Sequence, residues 1–133
     1  MNTYRGDIMI FEKLGKHTGN LKTYQGDYGT PVIFKAGEKQ GFQQGEVIVF
    51  TFENDAIADK EFTVNAEDFT LSLALTKPEA DGLYSGDISG YYRIPYSAKR
   101  YSEAGVFLET VLNGFLFVYE TVEWDGVLEA DNG

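Results

Sequence analysis

The only histidine in the 133-residue chain is His17, so any Ser-His-acid arrangement would have to use it. It lies in Gly15-Lys16-His17-Thr18-Gly19, where small and polar neighbours suit a solvated loop histidine better than a catalytic base. Gly15-Lys16 also matches the end of a phosphate-binding loop. That match fails on spacing: the first glycine of the motif falls on Ile10, its Ser/Thr position on His17, and Thr18 comes one place late. The chain has no cysteine, which removes thiol nucleophiles, thiolate metal sites and disulfides together.

Carboxylates are plentiful enough to suggest acid–base pairs, such as Glu67 with Asp68, Asp81 with Asp87, or Glu123 with Asp125. A catalytic pair needs a pocket that splits the two pKa values, and nothing in the sequence marks one. Glu53-Asn54-Asp55 with Asp59 supplies hard oxygen ligands of the kind calcium prefers, but without EF-hand spacing or its central glycine. Surface acidity is the better reading of all these groups, so no catalytic residue, metal or cofactor is expected. Arg5-Gly6-Asp7 spells an integrin-type tripeptide but leads straight into an apolar strand, and reads as a turn. There is no Asn-x-Ser/Thr sequon.

Aromatics are the remaining functional candidates: ten Phe, nine Tyr and one Trp. Tyr91 and Tyr92 are adjacent on an expected strand, so their rings point to opposite faces, one to the core and one to solvent or an interface. With Tyr84, Tyr96, Tyr101 and Trp124 they form the candidate contact set for protein or sugar. The competing reading places most of these rings in a core and along sheet edges.

The elements that must position them are strands. Phe69, Leu71, Leu73 and Leu75 alternate with small polar residues, the signature of a strand with one buried face. Ile48, Phe50 and Phe52 repeat the pattern, with Val47 and Val49 making the opposite face half apolar. Shorter strands are expected at Lys60 to Asn65 and Gly90 to Ser97, and earlier ones at Ile8 to Leu14, Leu21 to Tyr24 and Val32 to Lys35. The C-terminal third contains Val106 to Leu112 and Phe115 to Val122, separated by Asn113-Gly114. Two readings of that dipeptide stay open: a hairpin turn, or a glycine bulge in one long strand. Turns are expected between the strands, including Ser97 to Gly105. One short helical piece is expected at Lys77 to Leu83, with Pro78 in its first turn and Gly82 near its end.

Length fits one domain covering residues 1–133, and apolar content of 43% suits a globular one. The last nine residues, Asp125 to Gly133, are acidic and expected to fray. Eleven basic against twenty-one acidic residues leave a formal charge of −10. That sign repels phosphate backbones and anionic headgroups, so neither nucleic acid nor a membrane surface is an expected partner. No apolar run reaches signal-peptide or membrane-span length. Short strands at spacings of about 8–15 residues point to an all-β sandwich, with a small barrel as the alternative.

The order of features from Tyr24 onward carries a resemblance. Tyr24-Gln25-Gly26-Asp27 precedes a strand, followed by Gly45-Glu46 and Val47 to Phe52, then Asp59-Lys60-Glu61-Phe62 and Phe69 to Thr76. Leu83 to Asp87, Gly90-Tyr91-Tyr92-Arg93-Ile94 and Glu109 to Val118 complete the series. This resembles the immunoglobulin-like N-terminal domain of phage baseplate upper proteins and related tail modules. Glu46 stands where that family has a second aspartate, and Arg93 where it has a second tyrosine; residues 1–19 have no counterpart. The resemblance implies an immunoglobulin-like antiparallel β-sandwich of about seven to nine strands. It also implies a virion part assembled in the bacterial cytoplasm, bound to other tail proteins and to copies of itself.

Overall fold

The computed structural model describes residues 8–10, 19–29, 31–36, 41–65, 69–83 and 90–120. His17, Arg5-Gly6-Asp7, Tyr84, Trp124 and the tail from Asp125 lie outside these residues, as do Glu67, Asp68, Asp87 and Glu123. Within them the chain is mostly β. The strands are β1 (Ile8–Ile10), β2 (Leu21–Tyr24), β3 (Val32–Ala36), β4 (Val47–Phe52), β5 (Lys60–Thr63), β6 (Phe69–Leu73), β7 (Tyr91–Tyr101) and β8 (Phe107–Tyr119), with one helix, α1 (Lys77–Gly82). A three-stranded sheet runs β1-β3-β6 and a five-stranded sheet β2-β8-β7-β4-β5. Two pairings, β1 with β3 and β2 with β8, are parallel, so both sheets are mixed rather than purely antiparallel.

Alternation places one face of each strand inward. Ile48, Phe50 and Phe52 on β4, and Ile94, Tyr96 and Ala98 on β7, meet Phe34 on β3 with Leu71 and Leu73 on β6 in one apolar core. Phe50 sits at its centre, 5.2 Å from Phe34 across the two sheets, 5.9 Å from Phe62 and 6.4 Å from Tyr96 between ring centroids. Burying a side chain of this size stabilises the fold by roughly 1.5–3 kcal/mol.

The expected helix forms where proline and glycine placed it, and its start is fixed by more than proline. Thr76 caps it: the Glu79 N–H donates to Thr76 Oγ1 at 3.3 Å, and Thr76 N–H donates back to Glu79 Oε1 at 2.9 Å. Glu79 also accepts from Lys60 Nζ at 2.6 Å and from the Ala58 N–H at 3.1 Å, which ties α1 to the edge strand β5. Burial pushes the Glu79 carboxyl up, but the bonds from Lys60, Thr76 and Ala58 outweigh it and hold the group below its ordinary value. A carboxylate shifted down on folding contributes stability that is complete above its unfolded pKa and lost as pH falls through the folded one. The stability advantage of the native chain over Glu79→Gln should therefore be full at neutral pH. It should shrink as pH drops below the ordinary value of 4.5, as read from urea midpoints across an acid series.

Two departures from the sequence expectations shape the larger sheet. β7 continues through Tyr101, beyond the turn expected from Ser97, because Ser97 to Tyr101 pair with both β4 and β8. The reversal falls at residues 102–106, where Gly105 at φ +89° lets its N–H reach the Ser102 carbonyl and Ser102 Oγ accepts from Val106 N–H. Of the two readings of Asn113-Gly114 the hairpin fails and the one long strand holds, but without a bulge at the glycine: the dipeptide lies inside β8, paired with Ser97 and Tyr96. The register shifts come earlier in β8, at Val111 and Leu108, each skipped between successive β7 partners. The first of these lets consecutive Val111 and Leu112 both be buried.

Gly114 is required by the parallel neighbour. A Cβ there would lie 2.8 Å from the carbonyl carbon of Gly19 and 2.9 Å from Asn20 Oδ1. Gly19 N–H donates to the Asn113 carbonyl at 2.9 Å, Phe115 N–H to Asn20 Oδ1 at 3.0 Å, and Tyr96 OH to the Gly19 carbonyl at 2.8 Å. These bonds bring β2 alongside β8.

Candidate functional site

The residues on the other side of the five-stranded sheet, facing away from the core, make the most distinctive surface of the molecule. The register aligns them in rows across β2, β8 and β7. Tyr24, Tyr119 and Tyr91 form one row; Lys22, Phe117 and Arg93 form the next; Phe115 and Pro95 follow on β8 and β7. The rings touch in sequence, Tyr24 to Tyr119 at 5.9 Å, Tyr119 to Tyr91 at 5.4 Å and Tyr91 to Phe117 at 5.3 Å. Phe115 stacks on Phe117 at 6.3 Å, and the Arg93 guanidinium lies 4.6 Å over the Phe115 ring. Tyr91 is the most open of these rings at 53% exposure, while Phe115, Phe117 and Tyr119 are half-buried against one another. Cross-strand aromatic pairs stabilise a sheet face. A row of them left in water presents a ready contact area.

The charge of this surface runs against that of the chain. Although the chain has twenty-one acidic residues, β2, β7 and β8 carry only Glu109. Glu109 is committed elsewhere, accepting from Arg100 Nη1 at 2.6 Å. Lys22, Arg93 and Lys99 are exposed and form no ion pair with another described residue. Further along the same face the character changes. A shallow depression of about 380 Å³ is lined by Val47, Val49, Glu61, Tyr101, Glu103 and Gly105, beside exposed Val106, Phe107 and Leu108.

Behind the face, at the open end of the core, Arg100 is gripped by two carboxylates. Its Nε and Nη2 donate to Glu46 at 2.8 and 3.0 Å, Nη2 also to the Gly41 carbonyl at 2.8 Å, and the guanidinium lies 4.8 Å over the Phe42 ring. Glu46 Oε1 accepts in addition from Gln43 N–H at 3.0 Å. The bond to Glu46, with that to Glu109, raises the Arg100 pKa despite its burial. This cluster is structural: its groups are saturated by one another.

Of the six tyrosine and tryptophan candidates, Tyr84 and Trp124 lie outside the described residues, and the other four divide between faces. Tyr91 is on the aromatic outer face as expected for a contact residue. Tyr101 shares that face at its far end, packed on Phe107 at 5.8 Å beside the depression. Tyr92 and Tyr96 do not belong to a contact surface. They point inward with Ile94, where the Tyr92 hydroxyl donates to the Leu83 carbonyl and Tyr96 is buried and bonded to Gly19. Burial pushes both phenols above their ordinary values, so both remain donors.

The larger part of the surface, Tyr24, Phe115, Phe117 and Tyr119, was absent from the candidate set. Its signal is in the sequence: Phe115, Phe117 and Tyr119 alternate with buried Leu116 and Val118, so β8 is apolar on both faces, as strands covered on both sides are.

Two of the residues in the acidic candidate groups have local partners. Asn54 Oδ1 accepts from Ala56 N–H at 2.8 Å in a self-contained turn, and Asp81 pairs with Lys77 on the helix surface at 3.0 Å. Among the described residues no group of three His, Asp or Glu is placed to hold a metal, and no helix is long and apolar enough to cross a membrane. No protein-family model and no curated protein matches the chain.

Proposed function

We propose that this chain is a non-catalytic assembly module that binds other proteins through the outer face of its larger sheet. The observation that carries this reading is the row Tyr24, Tyr119 and Tyr91 beside the row Lys22, Phe117 and Arg93, an aromatic and cationic surface on an otherwise acidic chain. Such a combination of exposed aromatics and arginine is what protein interfaces concentrate. Recognition of a carbohydrate through the same rings is the second reading. Sugar stacking wants coplanar open rings beside a groove, whereas Tyr24, Tyr91 and Phe117 meet Tyr119 at 38°, 52° and 81° and shield one another. That geometry favours a protein partner.

We further propose the setting as a phage or prophage tail, at the baseplate or receptor-binding apparatus. What supports it is the sequence resemblance described above. The shared core of the two sheets, joined at Phe34 and Phe50, supports reading the fold as an immunoglobulin-like sandwich with mixed sheets.

Antibody labelling of particles released by the producing cell tests the setting: label on tail tips is expected, and particles without label would contradict it. Tyr91→Glu tests the face. Tyr91 is exposed but packs on Tyr119 and Phe117, so its replacement should lower stability by about 1 kcal/mol, too little to unfold the domain. Its incorporation into particles should fall at least ten-fold, the scale of an interface hot spot, and unchanged incorporation would count against the face.

A further inference from the structure

We infer that the tyrosine row is an oxidative modification site, at which Tyr91 and Tyr119 of one chain are joined ring to ring by a peroxide-fuelled one-electron oxidant. The inference is independent of the contact reading, since it needs only the row. The register makes the pair. Glu120 N–H donates to the Gly90 carbonyl at 2.8 Å, so the alternation of an antiparallel ladder leaves the next pair, Tyr91 and Tyr119, without backbone bonds to each other. Side chains stand closest at such positions, with Cα atoms about 4.5 Å apart. Both residues face away from the core, and their ring centroids are 5.4 Å apart with the planes at 52°. The other described tyrosines lack this arrangement. Tyr92 and Tyr96 bond to carbonyls on the core side, and Tyr101 packs on Phe107, which has no phenol to couple. Tyr28 is 51% exposed, with no ring contact to another described residue. Tyr24 is farther from Tyr119, at 5.9 Å, and stands on the four-residue edge strand β2.

The oxidant, a haem peroxidase loaded by hydrogen peroxide, takes one electron and one proton from each phenol, while the peroxide is reduced to two waters. Tyr91, at 53% exposure, is open to it, and Tyr119 is half-buried beside Tyr91. Each phenoxyl radical carries spin on the ring carbons ortho to its oxygen. One such carbon from each ring forms the new carbon–carbon bond. Each of those carbons then releases its proton and each oxygen takes one up, which restores two phenols. The net loss is two hydrogen atoms, and the product ties β7 to β8 across the row.

Oxidation of the dilute full chain with a haem peroxidase and hydrogen peroxide, read by mass spectrometry of the intact chain and its peptides, tests this. The expected product is a single chain lighter by two hydrogen atoms, with the blue fluorescence of dityrosine and a peptide pair joining Tyr91 to Tyr119. Tyr119→Phe keeps the ring packing but removes the coupling phenol, and should abolish that product. Tyr28→Phe should leave its yield unchanged. In urea the preference for this pair should disappear, because it comes from the strand register. Absence of any cross-link, joining of Tyr119 to Tyr24 in place of Tyr91, coupling only between chains, or a yield indifferent to Tyr119→Phe would each overturn the inference.

Discussion

Replacing Arg100 by methionine is expected to lower the unfolding free energy by about 3–5 kcal/mol. Glu46 is 6% exposed and receives two of the guanidinium's bonds, so removing Arg100 leaves a desolvated carboxylate with a single backbone donor, Gln43 N–H. Glu109, at 25% side-chain exposure, can turn to water and loses less. Natural domains of this kind have only about 5–15 kcal/mol of stability, so the change should be visible as a large drop in urea midpoint. The partner variant separates charge from packing. Arg100→Met combined with Glu46→Leu should recover more than half of the loss, because an apolar pair of similar volume substitutes well for a buried ion pair. If the single variant melts like the native chain, the pair is not desolvated as the geometry requires.

The second large effect is expected at Gly114. Gly114→Ala would set a methyl 2.8 Å from the Gly19 carbonyl carbon, and a backbone atom cannot rotate away as a side chain can. Relief requires moving the entry to β2, which breaks the Gly19–Asn113, Asn20–Phe115 and Tyr96–Gly19 bonds. A loss of about 3 kcal/mol or more is expected, at the upper end of overpacking effects. Its location is as diagnostic as its size. Amide exchange should rise in Leu21 to Tyr24, the strand held only by β8, while β4 and β5 remain protected at low denaturant. Uniform loss of protection would mean that β2 is not a separable edge of the sheet.

These two sites also show where the sequence was readable. β4 and β6 were legible because period-two alternation reports burial of one face, and Ile48, Phe50, Leu71 and Leu73 are buried accordingly. The helix was legible because Pro78 and Gly82 punctuate it locally. Asn113-Gly114 was not. The dipeptide signals a hairpin from local turn preference and its apolar flanks signal one long strand, and the choice between them involves Gly19 and Asn20, about 95 residues away, which pack and hydrogen-bond against the extended backbone. The parallel pairing of β2 with β8 is non-local in the same sense, since no short-range pattern distinguishes it from an antiparallel edge.

The tyrosines failed for a different reason. Parity along β7 separates Tyr91 from Tyr92 and Tyr96, so the strand pattern alone splits those three by face, whereas Tyr101 joins the outer face only because β7 runs on past Ser97. What parity could not supply was the row itself. Tyr24, Tyr119 and Tyr91 become neighbours only once the register between three strands is fixed. The same holds for the charge pattern, since Lys22 and Arg93 are seventy-one positions apart in the chain and flank one phenylalanine in the sheet.

Hydroxyl-radical footprinting of the chain, alone and in the native assembly fractionated from its producing cell, tests the contact face most directly. Tyr91, Phe117 and Tyr119 should be oxidised in the isolated chain and protected in the assembly, with Tyr28, exposed at 51% and away from the face, unchanged as the internal reference. Equal oxidation of Tyr91 and Tyr28 in both samples would contradict a protein-binding role for this sheet.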